Sequence, residues 1–153
     1  MKREAAIVND ILGYIKGMTA LGGYSSDVNP DNVFLCRSKI YDQSASEEID
    51  IITKFKTEET GTIQAIIFTF EILVRGQADN YTSLINRYND ILYCLNTHEA
   101  TMQSKYGYIA INPKDEEVEP DFTMQDREEG HIKFDIDVKH STEEKWTVDS
   151  TNY

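Results

Sequence analysis

The chain has 153 residues, of which 40% are hydrophobic and 10% aromatic, and it carries a formal net charge of −12 at pH 7. A chain of this length buries roughly 70% of its unfolded surface as one domain, and the composition excludes a wholly disordered polypeptide. The acidity disfavours a sequence-independent grip on nucleic-acid phosphate, which needs a surplus of lysine and arginine, and no apolar run approaches the roughly 20 residues of a membrane helix.

The start, Met1-Lys2-Arg3-Glu4-Ala5-Ala6-Ile7, opens like a secretory signal, but Glu4, Asn9, Asp10 and Lys16 break up any apolar core, so export is not expected. Ile7, Ile11, Tyr14, Ile15 and Met18 recur at three- and four-residue spacing, which predicts an amphipathic helix with Gly22-Gly23 as its stop. Residues 25–31, with Asn29-Pro30-Asp31, read as a loop. Residues 33–40 alternate as a strand, with Phe34, Cys36 and Ile40 on one side and Val33, Leu35, Arg37 and Lys39 on the other. A polar loop over 42–48 leads to a second strand, 49–56. There Ile49, Ile51 and Phe55 share a core face, and Asp50, Ile52, Lys54 and Lys56 share a face partly in water. Cys36 and Cys94 each sit inside an apolar element without CxxC spacing, so both are expected to be buried free thiols of a reducing compartment.

The run 63–75 is the most informative. Ile66, Phe68, Phe70, Ile72 and Val74 line one face, while Ala65, Ile67 and Leu73, with Thr69 and Glu71 between them, line the other. Apolar residues on both faces predict a central strand. At about 3.3 Å per residue it spans about 40 Å, against a radius of gyration of about 15 Å for a domain of this size, so one end is expected to protrude. After Gly76, Asp79 or Asn80 is a candidate N-cap for a second helix, striped by Leu84, Tyr88, Ile91, Leu92 and Leu95, with Asn86, Arg87, Asn89 and Asp90 away from the stripe.

A short strand is expected over 106–112, and a closing strand over 131–139. In the latter Ile132, Phe134, Ile136 and Val138 face the core, and His131, Lys133, Asp135, Asp137 and Lys139 face solvent. Between them, residues 113–129 hold eight acids against Lys114 and Arg127, a net −6 and half of the total charge. The expectation is therefore one α+β domain over 1–140, a mainly antiparallel sheet with helices packed on one face, followed by a tail over 141–153 whose larger apolar anchors are Trp146 and Val148.

Motifs for chemistry are missing. No Gly-rich phosphate loop, nucleophile elbow or zinc-type Cys/His spacing occurs, and His98-Glu99 lacks the second histidine of a metalloprotease helix. Glu71, Asp135 and Asp137 are candidates for a divalent-cation cluster in a small metal-dependent hydrolase, but alternate polar residues on a wet strand face are the simpler account. Tyr81, Tyr88 and Tyr93 interleave a helix in a chain too acidic for base stacking. No catalytic, cofactor or metal site is expected. The candidate interface residues are Tyr41, Tyr106 and Tyr108, since tyrosine is enriched at interfaces, together with Asp115, Glu116 and Glu117 of the acidic segment and Trp146 of the tail.

The order of elements carries a resemblance. A long strand ending in Ile72-Leu73-Val74-Arg75-Gly76 leads into a helix beginning Asn80-Tyr81-Thr82-Ser83-Leu84-Ile85. An acidic insertion and a closing strand opening Gly130-His131-Ile132-Lys133-Phe134 complete the set. Over residues 1–140 this resembles the tail-terminator proteins of long-tailed bacteriophages and, more loosely, other head–tail neck proteins such as head- or tail-completion proteins. The resemblance implies a non-enzymatic virion subunit, made in the bacterial cytoplasm, that forms a homo-oligomeric ring, commonly a hexamer. Such a ring caps the tail tube and joins it to the head connector or a completion protein, with DNA passing through and no sequence-specific nucleic-acid binding or membrane contact. A heterologous ring needs two different patches on each subunit.

Overall fold

The computed structural model of the chain describes residues 3–36, 47–60, 63–77, 81–114, 119–120 and 129–142. In chain order these form α1 (Arg3–Lys16), a single 3-10 turn (Pro30–Asn32), β1 (Val33–Leu35), β2 (Glu47–Thr60), β3 (Ile63–Gln77), α2 (Tyr81–Tyr106), β4 (Ile109–Pro113), β5 (Glu119–Pro120) and β6 (Glu129–Thr142). The strands make one sheet in the order β1-β2-β3-β6-β4, with β5 also paired to β6. Only the β1–β2 pair is parallel. The fold is α+β, with a mostly antiparallel sheet and β3 at its centre.

The β2–β3 and β3–β6 ladders keep one register from end to end, from Glu47↔Gly76 to Thr60↔Ile63 and from Gln64↔Thr142 to Gln77↔Glu129. One sheet face therefore collects Ile49 and Ile51 of β2, Ile66 to Val74 in steps of two on β3, and Ile132, Phe134, Ile136 and Val138 of β6, all buried. Both helices cover this face. Ile7, Ile11 and Ile15 of α1 and Leu84, Ile91, Leu95 and Met102 of α2 close the core, and Tyr88 sets its ring edge-on to Phe134 at 4.8 Å. The helices run antiparallel and are stitched along their length. Tyr106 donates its hydroxyl to Asp10 at 2.5 Å and Lys105 pairs with the same carboxylate at 2.8 Å. Tyr14 stacks on His98 at 4.0 Å and accepts the Cys94 thiol through its carbonyl.

Helix ends follow local rules. α2 stops where Gly107 takes φ +85°, in the left-handed region, and returns its N–H to the Gln103 carbonyl at 2.9 Å, the glycine cap expected of a helix C-terminus. α1 ends at Lys16, earlier than Gly22-Gly23. Residues 19–24 instead make a turn in which Gly22 and Tyr24 donate to the Thr19 carbonyl, Gly23 donates to Ala20, and Ala20 donates to Asp27.

Several expectations change. β1 is only three residues long, because Cys36 adopts φ 54° and leaves the strand; it is exposed, while Cys94 is buried and free, its thiol pushed up by desolvation. The second strand starts at Glu47 and runs to Thr60, so it takes in the end of the expected loop. Phe55 lies on the core-side parity yet is 58% exposed. The helices cover β2 at its start, where Ile49 and Ile51 are buried, but residues 54–59 are all exposed, so the outer half of β2 lies beyond the core. The protruding end thus belongs to β2, since β3 is buried on its core face as far as Ile66.

Arg87, placed away from the helix stripe by its spacing, is only 1% exposed. It donates to Glu47 at 2.9 and 3.1 Å, to Asp90 at 3.1 Å, to the Ser26 carbonyl and hydroxyl at 3.1 and 2.7 Å, and to the Asp27 carbonyl at 3.3 Å. His131 and Asp50, expected to face water, are buried on the far sheet face, where Arg75 also pairs with the buried Glu48. α2 continues through His98-Glu99 to Tyr106, so the strand expected over 106–112 begins only at Ile109. The candidate caps Asp79 and Asn80 and the tail beyond residue 142 lie outside the described residues.

Candidate assembly interface

A sheet with five strands side by side has two edges, and here they are treated differently. On the β4 edge, Ile111 donates its N–H to Glu99 at 2.9 Å, and Gln103 donates its side-chain N–H to the Ile109 carbonyl at 2.9 Å. Glu99 and Gln103 stand four apart on α2, so they share one helix flank and occupy backbone groups that would otherwise template another strand.

The β2 edge has no such cover among the described residues. Among the described residues β1 pairs with β2 only at Ile49, Asp50 and Ile51, and residues 54–59 are all exposed. Cys36 donates its N–H to the Ile51 carbonyl at 2.7 Å, which shows that Ile51 turns its backbone groups outward. Backbone groups alternate sides along a strand and the register has no bulge, so Thr53, Phe55, Thr57 and Glu59 turn theirs outward too.

The sheet face away from the helices is polar in its middle. Lys133 pairs with Glu71 at 3.0 Å, and Thr69 donates to Asp137 at 2.8 Å. Among the described residues no three His, Cys, Asp or Glu side chains converge where a metal ion could be held. Of the three carboxylates of the hydrolase alternative, Glu71 is thus engaged by a lysine and Asp137 by a threonine hydroxyl.

The surface carries two apolar features of opposite shape. Leu21, at the tip of the hydrogen-bonded turn after α1, is fully exposed (102%). Between α2 and β4, Leu92, Tyr93, Leu95, Asn96, Ile111, Pro113 and Ile136 line an open pocket of 220 Å³. That volume lies below the roughly 300–1,000 Å³ of small-molecule sites and suits a single side chain.

Of the interface residues expected from sequence, Tyr108 is 60% exposed. Tyr106 is instead buried inside the domain; burial and the Asp10 carboxylate push its hydroxyl up to about 12, so it stays a donor to Asp10. Tyr41, Asp115, Glu116, Glu117 and Trp146 lie outside the described residues. Tyr93 is exposed and meets Tyr24 edge-on at 5.8 Å. Sequence reasoning missed Leu21, Glu99 and Gln103. The last two could have been found, since they prolong the Leu92–Leu95 flank by one and two turns; an isolated leucine before Gly-Gly carries no comparable signal. His140, also unremarked in the sequence, is fully buried, donates Nε2–H to the Tyr106 carbonyl at 2.8 Å, and is kept neutral chiefly by desolvation, which lowers its pKa.

The chain matches no protein-family model and no curated protein sequence. Among the described residues no helix is long and apolar enough to cross a membrane.

Proposed function

We propose that this chain is a non-enzymatic assembly subunit that forms a closed ring of its own copies, acting as the tail terminator that caps a phage tail tube and meets the head connector. The observation that carries the ring is the pair of unlike apolar features, the exposed Leu21 knob after α1 and the side-chain-sized pocket between α2 and β4, which share no residue. A knob at one place on the surface and a socket at another make a heterologous contact, which closes into a ring when the rotation per subunit allows it. The turn that presents Leu21 is held by five hydrogen bonds, counting the Gly22 N–H to Thr19 hydroxyl bond, so little freedom is lost when the knob docks. The tail-tube assignment rests on the order of elements in the sequence, which resembles that of tail terminators.

The test measures the mass of the full chain in solution and its binding to purified tail tubes. The expected result is a ring, commonly six subunits, that caps tube ends, with Leu21→Asp abolishing both. A full-length chain that stays monomeric, alone and with tubes, ends the assembly reading. A ring that ignores tail tubes ends the terminator assignment and leaves the ring.

A further inference from the structure

The β2 edge is a third surface, separate from the Leu21 knob and the pocket, and its sequence is self-complementary. Residues 52–60 read Ile-Thr-Lys-Phe-Lys-Thr-Glu-Glu-Thr, basic in the first half and acidic in the second. We infer that this edge pairs antiparallel with the same edge of a second copy, about a twofold axis through Thr57. The inference does not rest on the tail reading.

Geometry limits the choices to a few. In an antiparallel pair, directly opposed residues point to the same face and turn the same backbone groups toward each other. A twofold axis perpendicular to the sheet must therefore pass through a residue and not between two. With the axis at Phe55, Lys54 opposes Lys56. At Lys56 that lysine opposes its own copy, and at Glu58 or Glu59 the glutamate does. Only at Thr57 does the pairing oppose unlike charges without also opposing like ones: Lys56 meets the Glu58 of the second copy, and Glu58 meets its Lys56, whereas the Lys56 axis sets Lys54 against Glu58 but also Lys56 against itself. Phe55 then lies opposite Glu59, and Thr57 opposite Thr57. A parallel in-register pairing would set each lysine against itself. Opposite charges directly across a ladder stabilise it and like charges destabilise it.

Two further observations point the same way. Thr57 is among the residues whose N–H and C=O turn outward, so the twofold sits on a hydrogen-bonded pair in which each Thr57 serves the other. Lys56 and Glu58 already face each other within one strand at 3.4 Å, so pairing completes an alternating square of charges. Phe55, exposed beside Phe68 at a centroid distance of 5.5 Å, gains cover from the neighbouring strand.

The experiment swaps the charges in the full chain carrying Leu21→Asp, so that ring formation does not obscure the mass. Sedimentation is measured over a range of concentrations, and circular dichroism confirms that each variant folds. The parent should be a concentration-dependent dimer. Lys56→Glu and Glu58→Lys should each be monomeric where the parent is dimeric, because each sets two like-charge pairs across the axis. Mixed one to one they should form a heterodimer, since one strand then carries two acids opposite two lysines, and the double variant K56E/E58K should dimerise by itself. Amide exchange gives a second readout: Phe55 and Thr57 should slow on dimerisation, while Lys54 and Lys56, whose N–H groups turn toward β3, should not change. A monomeric parent, single variants that stay dimeric, or a mixture that stays monomeric would each overturn the pairing.

Discussion

Arg87 holds three segments together: its own helix, the 25–29 loop through Ser26 and Asp27, and the start of β2 through Glu47. A buried guanidinium with this set of acceptors pins the loop against α2, and Asp90 reinforces it by accepting the Ser25 N–H at 3.1 Å and its hydroxyl. Removing one partner of a buried ion pair costs about 3–5 kcal/mol. Since Glu47 and Asp90 keep some access to water, Arg87→Met should lie near the lower figure, about 3 kcal/mol, in urea unfolding. Arg87→Lys should recover only part of it, because three donors on one nitrogen cannot span Glu47, Ser26 and Asp27 together. The sequence placed Arg87 beside charged neighbours and so on the wet side of the helix. Helical spacing gives an angle around the axis, but it does not tell which flank a distant loop will cover. His131 was misread for the same reason: strand parity assigned it to the second face correctly, and what buries that face at one end is not written in the alternation.

At the scale of elements, the alternation of β3 and β6 and the three- and four-residue spacing of α1 and α2 were legible because burial on one side repeats at the period of the element. Lengths were less so. β1 ends early on a backbone conformation at Cys36 that no hydropathy pattern encodes, and α2 runs eleven residues past Leu95 because its last turns are held by polar contacts to Asp10 and β4 and by the buried Met102, seven residues beyond Leu95 with only polar or small residues between them. Sealing of the β4 edge is one such polar contact and makes a prediction. The double variant E99A/Q103A leaves the Ile111 N–H and the Ile109 carbonyl without their side-chain partners. Loss of a hydrogen bond of this kind is worth about 1 kcal/mol, so a total near 2 kcal/mol should appear in urea unfolding. The Ile111 amide should exchange faster than in the parent, and the freed edge should make the chain associate at high concentration. An unchanged Ile111 exchange rate would mean that Glu99 does not protect this edge.

For the whole molecule, the two proposed contacts lie far apart. Leu21 belongs to the end where Arg87 grips Glu47, and β2 runs from Glu47 away from that end. Thr57 is ten residues further along, about 33 Å at strand rise. Perturbations at sites separated by more than about 10 Å with no shared partners combine independently. The knob should therefore control ring closure alone, and the charges at Lys56 and Glu58 should control twofold pairing alone. The sequence carried the charge pattern of β2 openly, but only the structure shows that this strand is an edge, and the socket for Leu21 arises from four residues of α2 meeting two of β4 and one of β6. Four proteins test the separation by sedimentation and by binding to tail tubes. Leu21→Asp should leave the edge dimer and fail to cap tubes. Lys56→Glu should leave the ring and still cap them, because capping depends on the closed ring. The double variant should be monomeric and inert, and the parent should show both contacts. If Lys56→Glu dissolves the ring as well, the two surfaces are one interface and the ring is held by the β2 edge; if Leu21→Asp leaves the ring intact, the knob and socket do not form it.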